Sequence, residues 1–288
     1  TMAGTPEKAY RLLHSLRDAY RPALEKEMEN LQTFAESVAG KGFTLKPWDY
    51  SYFANKLKEK EYSYDEEALR PYFKLENVIE GVFGLATRLY GITFVEARGV
   101  EVYHPDVKVF EVHDSDGSYL GLLYTDFFPR ASKRPGAWMT DFKGEWTEPD
   151  GTVSRPHVSL VMNFTKPTPS KPSLLTPMEV STFLHEFGHA LHGLLANTRY
   201  ASLSGTNVRR DFVELPSQFN ENFLHCKEFL DSFARHYLTG EPIPAEFVAR
   251  MVNSARFGAA YSCMRQLNFG LVDICLLYTS PSPRDPKT

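Results

Sequence analysis

Cysteine is scarce in this chain. The three present, Cys226, Cys263 and Cys275, are too few and too scattered for a disulfide framework or a cysteine-lined zinc site. Long apolar runs are missing as well, which leaves no candidate membrane span, and no signal peptide opens the sequence. Charge of one sign is not in excess: 32 Lys and Arg stand against 36 Asp and Glu, a formal net charge of −4 that gives no reason to expect a nucleic-acid partner. No internal repeat is visible. What remains is an ordinary globular composition, 42% hydrophobic over 288 residues, enough to bury one sizeable core. The expected compartment is the cytoplasm, and nothing speaks for a particular oligomeric state.

The informative feature is His185-Glu186-Phe187-Gly188-His189. In an α-helix residues i and i+4 share a face, about 6 Å apart along the axis. Two imidazoles so placed can converge on one zinc ion, with the intervening carboxylate beside them as general base. The surrounding sequence predicts a helix. Thr176-Pro177-Met178-Glu179 reads as N-cap, first-turn proline and capping-box acid, and Val180, Phe183, Leu184, Phe187, Leu191, Leu194 and Leu195 recur at helical spacing up to Asn197. Gly188 costs such a helix about 1 kcal/mol relative to Ala, a cost explained if a backbone or a ligand must come close there.

A catalytic zinc needs a third protein ligand. His192 lies seven residues beyond His185, roughly 10 Å along the axis, too far for both to reach one ion. The stretch Asp211-Phe212-Val213-Glu214-Leu215-Pro216-Ser217-Gln218 offers Glu214 instead, ahead of an amphipathic run (Phe219, Phe223, Leu224) able to pack antiparallel to the first helix. Asp211, one turn before Glu214, can act as an N-cap or accept the outer N–H of a ligating imidazole. Arg209 and Arg210 read as solvated loop charges or as partners for a peptide carboxylate.

These residues, HEFGHALH followed by Gly205, Asp211, Glu214, Pro216-Ser217-Gln218 and Glu221, resemble the thimet-oligopeptidase-like zinc metallopeptidases, of the oligopeptidase A and bacterial peptidyl-dipeptidase type. The likeness extends to Tyr103-His104-Pro105-Asp106-Val107, Tyr124–Arg130, Gly136-Ala137-Trp138-Met139 and Asn163–Pro167, and covers about residues 10 to 274. Phe223 departs from it, standing where many members carry Trp. The resemblance implies one Zn²⁺ held by His185, His189 and Glu214, Glu186 as general base, and short peptides as substrates. It leans towards release of C-terminal dipeptides, with endopeptidase action as the alternative. It also implies a longer protein: members carry a helical N-terminal lobe and a Gly-rich, Tyr-bearing substrate loop that nothing here matches. The chain therefore reads as a catalytic-region fragment. Two other classes stay open, a non-catalytic zinc- or peptide-binding piece and a metal-free helical scaffold with structural histidines.

The expected fold is mainly α with a small antiparallel β-sheet, its zincin-type metal helix packed against a second helix carrying the third ligand. Residues 1–95 read as helical, over Ala9–Val38 with a break at Pro22, Pro47–Lys60, Tyr64–Leu75 and Asn77–Tyr90. The small sheet falls in 100–165, with strands over Val107–Val112, Tyr119–Thr125, Ala137–Phe142 and Val158–Phe164 and a turn at Asp114–Gly117. The metal-site helices occupy 176–274, ending in a helix from Pro244 to Ile274 with Gly258 and Gly270 as close-packing positions. Residues 275–288 turn polar and Pro-rich and read as a non-native tail. Gly136–Met139 suits either a peptide-binding edge strand or a core strand with a buried Trp.

Overall fold

The structure, a computed structural model, describes residues 2–63 and 65–278. In chain order the helices are α1 (Pro6–Ala39), α2 (Tyr50–Tyr62), α3 (Glu66–Leu69) and α4 (Leu75–Tyr90), then α5 (Pro177–Leu194), α6 (Arg210–Glu221), α7 (Lys227–Phe233), α8 (Ala245–Ser254) and α9 (Ala259–Tyr278). Between α4 and α5 run β1 (Thr93–Glu96), β2 (Lys108–His113), β3 (Tyr119–Asp126), β4 (Trp138–Lys143), β5 (Trp146–Thr147), β6 (Val153–Ser154) and β7 (His157–Val161). Contacts divide the chain into two compact units, Thr1–Tyr64 with Ala249–Thr288, and Asp65–Val248.

In the first unit α1 pairs with α2 and α9 around Leu31, Ala35, Phe53, Ala54 and Leu57. Helix α1 starts on Thr5, whose side chain accepts from the Lys8 amide, and runs unbroken through Pro22. The expected break is absent because Pro22 and Asp18 are both exposed, so water can take the carbonyl that the proline leaves without a donor. The helix expected from Pro244 to Ile274 is two helices. They separate at 255–258, where Gly258 has φ +68° and a Cβ would lie 3.1 Å from Tyr50 Oη, a position that needs glycine. Gly270 does not, since its Cβ would make ordinary contact with Leu13. Helix α9 continues to Tyr278, into the stretch read as tail, and 279–288 lie outside the described residues.

The second unit holds the sheet and α5. Five strands lie in the order β1-β2-β3-β7-β4, and β5 and β6 form a separate hairpin. The β2–β3 connection is the turn expected at Asp114–Gly117, with Gly117 at φ +83°. Pairing is antiparallel except between β3 and β7, which run parallel, so the small sheet is mixed rather than purely antiparallel. Alternation along a strand marks its two faces but not the direction of a partner distant in sequence, which is why the parallel pair was not legible. The sheet also begins earlier than expected, at β1, inside the region read as helical. That strand has four residues, too few to show a period.

Helix α5 packs beneath this sheet. A Cβ on Gly193 would lie 3.0–3.1 Å from Met139 Cε, Asp141 Oδ1 and Val158 Cγ2, so these residues of β4 and β7 face the helix. By the period of two, Trp138, Thr140, Phe142, Ser159 and Val161 stand on the opposite face. Phe183 and Phe187 of α5 are fully buried and meet Phe83 of α4, Phe94 of β1, Phe127 and Phe164. The helix starts in the expected capping box: Thr176 Oγ1 accepts from the Glu179 amide at 3.0 Å and Glu179 Oε2 accepts from the Thr176 amide at 2.8 Å. It closes against Arg155, which donates to the Leu194 carbonyl at 3.1 Å, a cation where the helix dipole favours one.

Above the sheet a buried carboxylate gathers two cations. Asp126 takes Arg130 through both terminal nitrogens at 2.9 Å and Lys133 at 3.0 Å. Burial alone would raise the pKa of Asp126, but the bonds and charge of these partners outweigh it and hold the carboxyl below its usual range. A carboxyl depressed in the folded state adds stability above its unfolded value near 3.9, and that stability is lost as pH falls through the folded value. Asp126→Asn should therefore cost about 3–5 kcal/mol at neutral pH by stranding the cations. In thermal melts the gap between variant and wild type should narrow below about pH 4; a gap that stays constant down to about pH 2 would contradict this.

Candidate metal centre

The apolar stripe of α5 turns most of the helix inward, which leaves His185 half-buried, Glu186 and His189 buried, and the pair of imidazoles facing α6. Their ring centroids are 5.0 Å apart and their planes nearly perpendicular. Glu214, exposed on α6, brings one oxygen between them: Oε2 lies 3.2 Å from His185 Nε2 and 3.1 Å from His189 Nε2. Among the described residues this is the one group of three or more His, Cys, Asp or Glu side chains able to hold a metal ion, its donor atoms all within 4.8 Å of one another. His192 is not part of it; its ring packs 6.3 Å from that of Phe212.

The register of the two helices explains this convergence. A Cβ on Gly188 would lie 2.7 Å from both Pro216 O and Ser217 Cα, so the missing side chain lets the α6 backbone rest directly on α5. Asn220 Nδ2 donates to the Leu184 carbonyl at 3.1 Å, a buried strut one turn further along. Residues 216, 217 and 220 of α6 thus meet 188 and then 184 of α5, which makes the helices antiparallel as expected. Ser217, fully buried, donates to Glu214, its Oγ 2.9 Å from Oε2 and 3.0 Å from the carbonyl oxygen.

The same register moves the supporting carboxylate. His185 Nδ1 lies 2.7 Å from Glu221 Oε1. At His185 the supporting carboxylate is Glu221, because α6 advances toward the start of α5. Position 221 then falls beside His185, whereas Asp211 sits in the first turn of α6, next to the Phe212 that packs on His192. His189 Nδ1 is buried with no hydrogen-bond partner among the described residues. Ser217, Asn220 and Glu221 were not singled out for these roles in the sequence. The available signal was their spacing from Glu214, which keeps 217 and 221 on its face of one helix. Arg209 and Arg210 are exposed at the start of α6.

This donor set fits zinc. In the tautomer whose Nδ1–H donates to Glu221, His185 turns its Nε2 lone pair toward Glu214 Oε2, an arrangement that a cation shared by the two satisfies. Ligands about 2.0–2.2 Å from a shared tetrahedral ion stand about 3.3 Å apart, close to the separations observed. Burial lowers the basicity of His189 against the opposing pull of Glu214, so its neutral, metal-binding form is favoured. Burial also raises the Glu186 carboxyl, which His185 counters and Glu214 reinforces, and the Met139 amide of edge strand β4 donates toward it. A carboxylate made more basic, beside the metal group and against an exposed strand edge, is a base in position to take a proton from water.

Comparison with known sequences agrees with this geometry. The profile of Peptidase family M3 matches residues 1–288. The chain belongs to that family. Its M3 relatives include oligopeptidase A of Escherichia coli (strain K12), 42% identical over 276 residues, 96% of this chain and 40% of the relative. Dipeptidyl carboxypeptidase of the same strain is 41% identical over 274 residues, 95% of this chain and 40% of the relative. Mitochondrial intermediate peptidase of Homo sapiens is 33% identical over 277 residues, 95% and 39% respectively. The chain thus spans about 40% of the length of these M3 proteins.

Two substitutions test the supporting contacts. Gly188→Ala should press the α6 backbone off α5, costing about 1–3 kcal/mol and weakening zinc binding along with stability. Glu221→Ala should leave the fold intact and lower zinc affinity about 10–100-fold, read by competition with a chromophoric chelator. Unchanged affinity in the second variant would show that the 2.7 Å contact does not orient His185.

Proposed function

We propose that this chain carries the catalytic centre of a zinc-dependent peptidase acting on short oligopeptides, with His185, His189 and Glu214 as ligands of one Zn²⁺ and Glu186 as general base. The observation that carries the reading is the meeting of His185, His189 and Glu214 from two helices, with the buried Glu186 beside them. The ion, when bound, supplies Lewis acidity toward a peptide carbonyl and toward water. Glu186 then accepts the proton of the attacking water and delivers it to the departing amine nitrogen, which is why a carboxyl of raised basicity suits the place. Glu221 and Ser217 hold His185 and Glu214 in position. Asp211 remains proposed as a supporting carboxylate for a ligating imidazole.

Strand β4 forms the sheet edge beside α5, and its Met139 amide reaches Glu186. An extended peptide added along that edge would lie next to the general base, which supports the peptide-binding reading of Gly136–Met139. Release of C-terminal dipeptides is the preferred specificity. Endopeptidase action is the second reading, kept because the chain is as similar to oligopeptidase A, at 42% identity, as to dipeptidyl carboxypeptidase, at 41%. No helix among the described residues is long and apolar enough to cross a membrane. The cytoplasm is the proposed compartment, a reading that three unpaired cysteines support.

Glu186→Gln should keep stoichiometric zinc in elemental analysis and lose turnover of a quenched peptide, whereas His185→Ala should lose the ion. Zinc missing from the first variant, or retained by the second, would refute these roles. Mass analysis of the products from one defined peptide separates the two specificities: dipeptides taken only from the C-terminus support the first, and internal cleavage the second.

A further inference from the structure

On the sheet face opposite α5 lies a cavity of about 670 Å³, lined by none of the residues of the metal centre. Trp138 and Phe142 of β4 and Val161 of β7 give it aromatic and aliphatic walls, and Thr140 stands exposed at its rim. Its charged wall is Arg130. This guanidinium has five N–H donors and spends two of them on Asp126, at 2.9 Å each. Lys133 spends all three of its donors, on Asp126 Oδ1 and on the carbonyls of Asp126 and Phe128. One carboxylate therefore faces two cations, and three donors of Arg130 find no acceptor among the described residues. Asp106 also acts on Arg130, but it is paired with Lys166 at 3.5 Å. Arg134, exposed at the mouth, adds positive charge.

A guanidinium with unspent donors, its carbon 5.8 Å from the centre of the Tyr103 ring, in a cavity that Trp138 and Phe142 also line, matches a carboxylate carried on an apolar body. We propose that this cavity is a binding site for the C-terminal residue of a peptide. Its α-carboxylate rests on the free edge of Arg130, and its aromatic or aliphatic side chain lies against Trp138 and Phe142. The site is separate from the metal centre, so occupancy does not depend on zinc or on turnover.

The test is calorimetric titration of the full chain, zinc-loaded and chelator-treated, with N-acetyl-L-phenylalanine and with its amide. The acid should bind equally to both forms, and the amide about tenfold more weakly. Thr140→Trp fills the cavity from an exposed position and leaves the Arg130–Asp126 pair alone; it should abolish binding with an unchanged thermal midpoint. Arg130→Lys keeps the charge but removes the planar fork, and should erase the preference for acid over amide. The proposal is overturned if acid and amide bind alike or if binding requires zinc. Inorganic phosphate competing as well as the acid would also overturn it, as would Thr140→Trp leaving binding intact.

Discussion

The contact between Gly188 and the Pro216–Ser217 backbone sets the spacing of α5 and α6, and every element of the metal centre inherits that spacing. Two imidazoles on one helix are positioned by helical geometry alone. A third ligand from another helix is not, and its placement tolerates little error because each ligand must end about 2 Å from a shared ion. Backbone resting on backbone is the stiffest way to fix such a distance, since no side-chain rotation can relax it. Asn220 and Ser217 then fix the rotation and register of α6, and Glu221 locks the imidazole it faces.

The meeting of His185 and His189 in the candidate metal centre was legible because its logic is local. The His-Glu-x-x-His spacing, the capping box at Thr176 and Glu179, and the unfavourable Gly188 all follow from helix geometry within one stretch. Glu214 was legible from the need for a third donor and from the resemblance. The supporting carboxylate was not, because it depends on the relative register of two helices. Until Pro216 is known to lie over Gly188, both Asp211, one turn before Glu214, and Glu221, two turns after it, share its face of the helix. The same reason governs the sheet. Strands β2, β3, β4 and β7 could be read from alternation, but the parallel β3–β7 pair is a relation between distant segments, and β1 is too short to carry a period.

The two faces of the sheet do different work with the same strands. Toward α5, Met139, Asp141 and Val158 pack on the metal helix; away from it, Trp138, Thr140 and Phe142 open onto a cavity with its own buried ion cluster. The alternation of β4 from Trp138 to Asp141, ahead of the register shift at Phe142, lets the strand serve both faces. Asp126, Arg130 and Lys133 anchor the segment between β3 and β4 and so support the edge strand from the other side.

Strand β4 precedes β7 in the chain yet joins the sheet only through it, because β7 lies between β3 and β4. During folding β4 has no partner until the polypeptide has travelled onward and returned, a non-local closure that comes late. In local opening the order reverses, and an outermost strand with one neighbour is released before any interior one. The wall beside Glu186 is thus, with the opposite edge β1, where amide exchange in the sheet should be fastest, and it can loosen while α5, buried along most of its length, keeps His185 and His189 in place.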